Sequence, residues 1–134
     1  MRYRLLEHTA DAMVEAHGET LEERFANAAY ALFDQMTDVS KIQPTGEMRI
    51  QIEAGTREQL LVDFLQELLF LHDAENLVFS RFDIILDGNK LDAHIHGEEF
   101  DDERHTKRSV VKGVTYHKLE FNDAHKTLVV LFDV

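Results

Sequence analysis

Two acidic positions near opposite ends of the chain could together bind a cation. Asp11 ends a polar segment just before a predicted strand, and Asp133 and the chain-end carboxylate of Val134 follow an apolar strand. Anionic groups that lie close together repel each other unless a cation or a basic side chain neutralises them. Hard oxygen ligands of this kind suit Ca²⁺, Mg²⁺ or Mn²⁺ better than Zn²⁺. Taken alone, each position also fits a local turn or a solvated chain end.

A single lysine stands in a late segment that is otherwise apolar, hydroxyl-bearing or neutral. Lys112 is the only Lys, Arg, Asp or Glu in the segment VKGVTYH, residues 111–117. A lysine in this place could neutralise a carboxylate cluster or contact a phosphate. The simpler alternative is a lysine that extends from a strand edge into solvent.

The standard sequence signatures of enzymes are absent. It has no Gly-rich phosphate loop, no serine at a strand-to-helix elbow and no His-Glu-x-x-His segment. With 0 cysteines it has no disulfide, no cysteine–zinc site and no thiol nucleophile. His94 and His96 share one face of a predicted strand and could chelate zinc, but their alternation with Leu91, Ala93 and Ile95 favours a solvated face.

The charge balance bears on possible partners. The 134 residues include 14 Lys and Arg against 26 Asp and Glu, a formal net charge of −12. An acidic surface repels phosphate backbones and anionic lipids, so we expect no direct, high-affinity binding to nucleic acid and no membrane. No apolar run approaches the roughly 20 residues that span a bilayer, and the first residues lack a signal-peptide core. We therefore expect a cytoplasmic protein.

Two segments carry the start signals and apolar spacing of helices. Thr20 with Glu23, and Thr56 with Gln59, match the capping box that begins many helices. Apolar residues recur at helical spacing after each box and predict one buried face per helix. These residues are Leu21, Phe25, Ala28, Ala29, Leu32, Phe33 and Met36 in the first segment, and Leu60, Leu61, Phe64, Leu65, Leu68 and Leu69 in the second.

Period-two alternation predicts the strands, which lie at residues 12–17, 48–52, 76–87, 90–96, 116–121 and 128–134. Asp87-Gly88-Asn89 predicts a hairpin between the third and fourth strands, and residues 122–125 predict another between the last two. The last strand is apolar on both faces, so we place it centrally, while the charged segment 98–112 predicts a loop. These elements predict a single α+β domain, residues 1–134, with a mostly antiparallel sheet and two main helices.

The separate signals together resemble one known family. His8-Thr9-Ala10-Asp11, GETLEERFANAAYALFDQMTD, VKGVTYH and a final FDV occur in the order and at the spacing found in archease, over essentially the whole chain. The resemblance implies a small, non-catalytic protein cofactor of the RtcB-type tRNA-splicing RNA ligase. That ligase joins cyclic-phosphate or 3′-phosphate ends to 5′-hydroxyl ends through a histidine–guanylate made with GTP and Mn²⁺. Archease promotes this guanylylation, sustains multiple turnover and broadens the ligase's nucleotide use.

The resemblance also implies which residues act. A divalent metal, calcium in the family with Mn²⁺ or Mg²⁺ as alternatives here, would be held by Asp11, Asp133 and Val134. Lys112 matches a lysine that the family needs for ligase activation. Gly113 departs from the family's commoner alanine but removes no ligand. The further candidates that the resemblance or the local context indicates are His8, Glu98, His105 and His117.

Two other classes of function stay open at this point. The same carboxylates, with a histidine as base, could serve a stand-alone metal-dependent hydrolase or nuclease. A chaperone-like binding module would instead need hydrophobic surface and no cation. RNA or phosphoester turnover by the purified protein alone would favour the hydrolase. Activity that survives Asp11→Ala would favour the chaperone.

Overall fold

The computed structural model describes residues 1–6 and 11–134, which form seven strands and two α-helices. The strands are β1 (Tyr3–Leu6), β2 (Ala12–His17), β3 (Gly46–Glu53), β4 (Leu77–Asp87), β5 (Lys90–Glu99), β6 (Gly113–Asn122) and β7 (Thr127–Asp133). The helices are α1 (Leu21–Met36) and α2 (Arg57–Glu75), with a single 3₁₀ turn at Val39–Lys41. Within this part of the chain, no helix is both long and apolar enough to cross a membrane.

The strands form two antiparallel sheets. One sheet has the order β1-β2-β7-β6 and the other has the order β3-β5-β4. The predicted α+β class with antiparallel strands is confirmed, but the division into two sheets was not predicted. Alternation shows which side chains share a face, and it carries no information about which strand lies alongside. Strand β1 was also missed, because its four residues, Tyr3–Leu6, are too few to show a period.

Both helices begin where the capping boxes predict. The Thr20 hydroxyl accepts a hydrogen bond from the Glu23 N–H at 3.1 Å, and Thr56 accepts one from Gln59 at 3.1 Å. The return bond differs from the usual box, since the Glu23 carboxylate accepts from the N–H of Glu19, the residue before the cap, at 3.1 Å. At the start of α2, the Gln59 side chain likewise accepts a hydrogen bond from the N–H of the residue before the cap. The bonds to Thr20 and Thr56 satisfy N–H groups that the first helical turn leaves unpaired, and the return bonds satisfy N–H groups of the residues just before the caps.

Helix α1 lies against both sheets and joins their cores. Its residue Phe33 is fully buried, and its ring lies 5.6 Å from Phe79 and 6.0 Å from Phe82, both on β4. The helix also packs against β2, which belongs to the four-stranded sheet. A large aromatic ring in this place fixes the helix to the three-stranded sheet through both dispersion and edge-to-face geometry.

The central position predicted for the last strand is confirmed. Strand β7 pairs with β2 on one side and with β6 on the other. Leu128, Val130 and Phe132 face the main core, while Leu131, which points to the opposite face, is only 2 % exposed. Burial on both faces explains why this strand reads as a continuous apolar run.

Both predicted hairpins are present. Strands β4 and β5 are joined at Gly88, whose φ of 57° lies in the left-handed region that glycine tolerates. The β6–β7 turn is fastened to the start of both helices, because Asp123 accepts hydrogen bonds from Arg24 and from Arg57, each at 3.0 Å. This holds one end of the four-stranded sheet and leaves the other end for the candidate site.

Candidate functional site

The pairing of β2 with β7 brings the two chain ends together. Ala12 lies opposite Phe132 in this antiparallel register. Asp11 comes just before Ala12, and Asp133 comes just after Phe132, so the two aspartates project from the same end of neighbouring strands. Two residues at opposite ends of the sequence therefore become neighbours, as the hypothesis of a shared cation requires.

Lys112 joins the same end of the sheet from the other side of β7. Gly113 lies opposite Asp133, and the Lys112 N–H donates a hydrogen bond to the Asp133 carbonyl at 2.7 Å. The structure thus places together four residues that the sequence indicated, and we call Asp11, Lys112, Asp133 and Val134 the sheet-end cluster. Their order across the sheet is fixed by backbone pairing, and it does not depend on any side-chain contact.

The sheet-end cluster lies on the protein surface above a buried apolar base. Lys112, Asp133 and Val134 are exposed, and Asp11 is half-buried. Phe132, which directly precedes Asp133, and Val111, which directly precedes Lys112, are both buried. The cluster is therefore rigid at its base and accessible at its charged ends, which suits contact with a partner more than enclosure of a small substrate.

The donor set of the cluster fits a hard cation only in part. Across residues 1–6 and 11–134, no group of three or more His, Asp and Glu side chains is arranged to hold a metal ion. A site on Asp11 and Asp133 would need further ligands from main-chain oxygens, such as that of Val134, and from water. Ca²⁺ accepts such mixed oxygen ligands readily, whereas structural Zn²⁺ sites use four protein ligands that include Cys or His.

The segment that carries Lys112 continues into a bulge that the sequence did not reveal. Pairing of β6 with β7 jumps from Thr115 opposite Leu131 to Glu120 opposite Val129, so the intervening residues of β6 leave the regular ladder. His117 lies in this bulge, is exposed, and donates its N–H to the Thr115 hydroxyl at 2.9 Å. The predicted site residue His117 is thus on β6, the strand that Lys112 directly precedes, but outside the part of β6 that pairs with β7.

Glu98 and His105 lie in a different cluster, which fastens the loop after β5. The Glu98 carboxylate accepts hydrogen bonds from Arg104 at 2.6 Å, from His105 Nε2 at 2.9 Å and from the Gln43 N–H at 2.7 Å. The bond from Arg104, supported by those from Gln43 and His105, lowers the pKa of Glu98 from 4.5 to about 2 although burial opposes the shift. We call Glu98, Asp101, Arg104 and His105 the loop clasp.

His105 is held from both sides of its ring. Its side chain is buried, and Nδ1 accepts a hydrogen bond from the Asp101 N–H at 2.8 Å. Nδ1 must therefore lack a proton, so we assign the proton to Nε2, which donates to Glu98. The residue before Glu98 must be glycine, since a Cβ on Gly97 would lie 1.9 Å from the Val78 carbonyl oxygen. Glycine lets β4 approach closely just where Glu98 begins the clasp.

The remaining predicted positions are two residues that the structure does not describe and two histidines on β5. His8 and Thr9 lie outside the described residues. His94 Nδ1 lies 2.6 Å from a Glu47 carboxylate oxygen, while His96 Nε2 lies 3.2 Å from Asp83. The two imidazoles thus take separate carboxylate partners on neighbouring strands. The His94 side chain is 44% exposed and that of His96 is 17% exposed, so the expected solvated face is confirmed for His94 and only in part for His96.

The fold and the sheet-end cluster define a small α+β protein whose candidate site is a charged surface at the end of one antiparallel sheet. Comparison with known proteins identifies the family. The sequence model of the archease protein family (MTH1598/TM1083) matches residues 3–134. The chain therefore belongs to the archease family.

Curated relatives cover nearly the whole chain. The protein archease of Sulfurisphaera tokodaii is 36% identical over 135 residues, which span 99% of this chain and 97% of that protein. The protein archease of Pyrococcus furiosus is 44% identical over 118 residues, which span 85% of this chain and 83% of that protein. The resemblance inferred from the motifs is thus confirmed.

Two solved structures share the fold. The solution structure of Methanobacterium thermoautotrophicum protein 1598 has a TM-score of 0.85 and 38% identity, and the match covers 99% of each chain. The crystal structure of a Thermotoga maritima archease, described as a possible chaperone, has a TM-score of 0.66 and covers 98% of this chain. At 22% identity, this second structure supports the fold alone.

Proposed function

We propose that the chain activates an RtcB-type tRNA-splicing RNA ligase by promoting its guanylylation and multiple turnover, and that it broadens the ligase's nucleotide use. The observation that carries the proposal is the sheet-end cluster. Asp11, Lys112 and Asp133, the positions that match the family's motifs, lie at the ends of three adjacent strands, β2, β6 and β7, on one exposed side of the sheet. The cluster has carboxylates and an ammonium group but no hydroxyl, thiol or imidazole nucleophile among its four side chains. We infer a non-catalytic role for the chain, as the family resemblance implies.

The cluster's own residues suggest how activation would work. Lys112 is exposed, and its backbone is held against β7, so its ammonium group can extend toward a partner's nucleotide. Charge builds on the phosphate oxygens during guanylyl transfer, and a cation placed at those oxygens stabilises the transition state. Asp11, Asp133 and the main-chain oxygen of Val134 would hold a divalent cation beside this lysine. When bound, Ca²⁺, Mg²⁺ or Mn²⁺ would add positive charge for phosphate binding.

The charge of the protein supports a protein partner of opposite sign. A net charge of −12 favours docking on a basic, RNA-binding enzyme over direct binding to RNA. We propose that this contact takes place in the cytoplasm, and that the ligase's active centre is where the sheet-end cluster docks.

A chaperone role has less support in the described surface. A binding site for unfolded chains needs a contiguous apolar patch. The exposed large hydrophobic residues lie on separate elements, and they are Met1, Leu5, Phe70, Ile85, Val110, Tyr116 and Val134. We favour docking through the charged sheet end, because that end carries the positions that match the family's motifs.

The test is single-turnover guanylylation of a purified RtcB-type ligase at limiting GTP and Mn²⁺, with and without this protein. We expect faster guanylylation when the protein is present and, in a second assay with RNA in excess over the ligase, repeated RNA-joining cycles. A rate that the protein does not change would contradict the proposal. Cleavage of RNA or phosphoesters by the protein alone, without ligase, would favour the hydrolase instead.

A further inference from the structure

A groove runs between the edge strand β3 and helix α2. Its volume is about 700 Å³, and the strand contributes residues 48–52 to its lining. The helix contributes Asp63, Gln66, Glu67, Phe70 and Leu71. Among the described strands, β3 pairs only with β5, so the other side of β3 faces this groove. An edge strand presents unpaired N–H and C=O groups that can pair with another chain.

The lining shows that the groove opens along the strand edge and not over one face of the sheet. Successive side chains of a strand point to opposite faces, so a pocket above one face would be lined by alternate residues. Here five consecutive residues, 48–52, form the wall. The backbone edge of β3 is therefore part of the groove, which is the geometry needed for the addition of a further strand.

One side of the groove offers apolar surface to an added strand. Met48, Ile50 and Ile52 share the face of β3 that packs toward the core. On α2, Phe70 is 59% exposed although it is a large aromatic residue. An added strand could place every second side chain against this apolar surface.

The helix wall of the groove is acidic. Asp63 and Glu67 lie one turn apart on α2, where like charges repel. Within residues 1–6 and 11–134, neither carboxylate has an ion-pair or hydrogen-bond partner. Arg49, the basic residue among those that line the groove, is already held by Asp92 through bonds of 3.0 and 2.6 Å. The groove therefore has negative charge that a basic ligand would neutralise.

We propose that this groove binds an extended segment of a protein partner, in which basic and apolar residues alternate, as an additional strand beside β3. A second copy of this chain is a poor occupant, because each β3 carries two acidic residues, Glu47 and Glu53, and one basic residue, Arg49, so a second β3 would add net negative charge to an acidic groove. The groove contains no residue of the sheet-end cluster, and the proposal does not depend on ligase activation. The partner is defined by its chemistry, a basic β-forming segment.

The test uses a short, blocked peptide of alternating lysine and valine, titrated into the isotope-labelled full chain. We expect NMR shifts in β3 and in the groove face of α2, and slower hydrogen exchange for the outward amides of β3. Two control peptides should not bind: one with glutamate in place of lysine, and one with two adjacent prolines at its centre. Proline removes the N–H groups that strand pairing needs.

A matched pair of variants tests the charge. Asp63→Asn with Glu67→Gln should weaken binding about fivefold to tenfold, as expected for two partly exposed ion pairs. Asp73→Asn with Glu75→Gln makes the same charge change on the same helix outside the groove and should leave affinity unchanged. Equal weakening by both pairs would overturn the proposal, because the attraction would then be nonspecific.

Three further outcomes would also overturn the proposal. These are absent shifts in β3, unchanged binding of the proline peptide, and β3 shifts that depend on protein concentration without any peptide. The last would identify a second copy as the occupant. The peptide comparisons use the unaltered protein, so they remain decisive even if a groove variant folds poorly.

Discussion

The loop clasp and the sheet-end cluster both combine carboxylates with basic groups, but their side chains differ in how many partners they have. In the clasp, Glu98 accepts bonds from three residues and its side chain is only 12% exposed. In the sheet-end cluster, the Lys112 and Asp133 side chains have no partner among the described residues, and both are exposed.

This difference separates a structural use of charge from one that needs a partner. Charges that are mutually satisfied and removed from water fix a loop in one conformation. Exposed charges on a rigid backbone cost the fold little and stay available to an external ligand. We therefore expect substitutions in the clasp to change stability first, and substitutions in the cluster to change activation first.

The largest effect on stability is expected in neither cluster but in the core beneath them. Phe33→Ala should lower the free energy of unfolding by about 3–5 kcal/mol, because it removes a fully buried ring from between α1 and β4. Chemical denaturation monitored by circular dichroism measures this loss. Phe70→Ala is the matched control, since Phe70 is exposed on α2 and should change stability by less than about 0.5 kcal/mol. Equal losses for the two variants would mean that the helix faces are wrongly assigned.

Lys112→Ala tests the cluster directly. We expect the guanylylation stimulated by this protein to fall on the order of 10²-fold, the usual cost of removing one transition-state contact to developing charge. The melting temperature should stay nearly unchanged, because ion pairs of an exposed lysine are worth roughly 0–1 kcal/mol. Lys90→Ala, an exposed lysine at the start of β5, is the control and should retain full stimulation. Wild-type stimulation by Lys112→Ala would contradict the proposed role.

The residues tested in these two experiments also show which features could be predicted from the sequence. The capping residues and apolar spacing placed Phe33 on a buried helix face, and the double-sided apolar run placed β7 at the centre of its sheet. Such features depend on local spacing, which a single sequence displays. The candidate residues Asp11, Lys112 and Asp133 were likewise found from residue type and family resemblance.

The meeting of these residues could not be predicted from spacing. It depends on the register of β7 with both β2 and β6, and register is a property of two paired strands. Glu98 and His105 were indicated by the resemblance, but their contacts could not be predicted, since the Gln43 N–H that helps to hold Glu98 is far from it in the sequence. Gly97 was a local signal of the contact between β5 and β4, because glycine inside a strand often indicates a close backbone approach.

His105→Ala tests whether the clasp is structural. We expect a loss of about 1–3 kcal/mol in the free energy of unfolding, because the Asp101 N–H loses its buried acceptor and Glu98 loses a donor. Ligase stimulation should persist at temperatures where the variant remains folded. His125→Ala, in an exposed turn, is the control and should alter neither property. Lost stimulation with unchanged stability would move His105 into the functional site and remove the contrast between the clusters.

The smallest expected effect is a pH dependence of stability that comes from Glu98 in the clasp. The pKa of Glu98 falls from 4.5 to about 2 in the folded protein, chiefly through its bond from Arg104. A depressed folded-state pKa contributes stability above the unfolded pKa and loses it as pH falls toward the folded value. Wild type should therefore exceed Glu98→Gln in stability by about 1–2 kcal/mol at neutral pH. This advantage should shrink as pH falls from about 4.5 toward about 2.

The measurement is the stability difference between wild type and variant across this pH range, by denaturant unfolding. Differences between variants cancel the titration of the other carboxylates, which both proteins share. Glu99→Gln, at an exposed neighbouring position, should show a small difference that does not vary with pH. If the Glu98→Gln difference stays constant from about pH 7 to about pH 3, the ionised carboxylate does not hold the loop. The clasp would then owe its stability to packing. The contrast between a structural use of charge in the clasp and a partner-directed use in the sheet-end cluster would be lost.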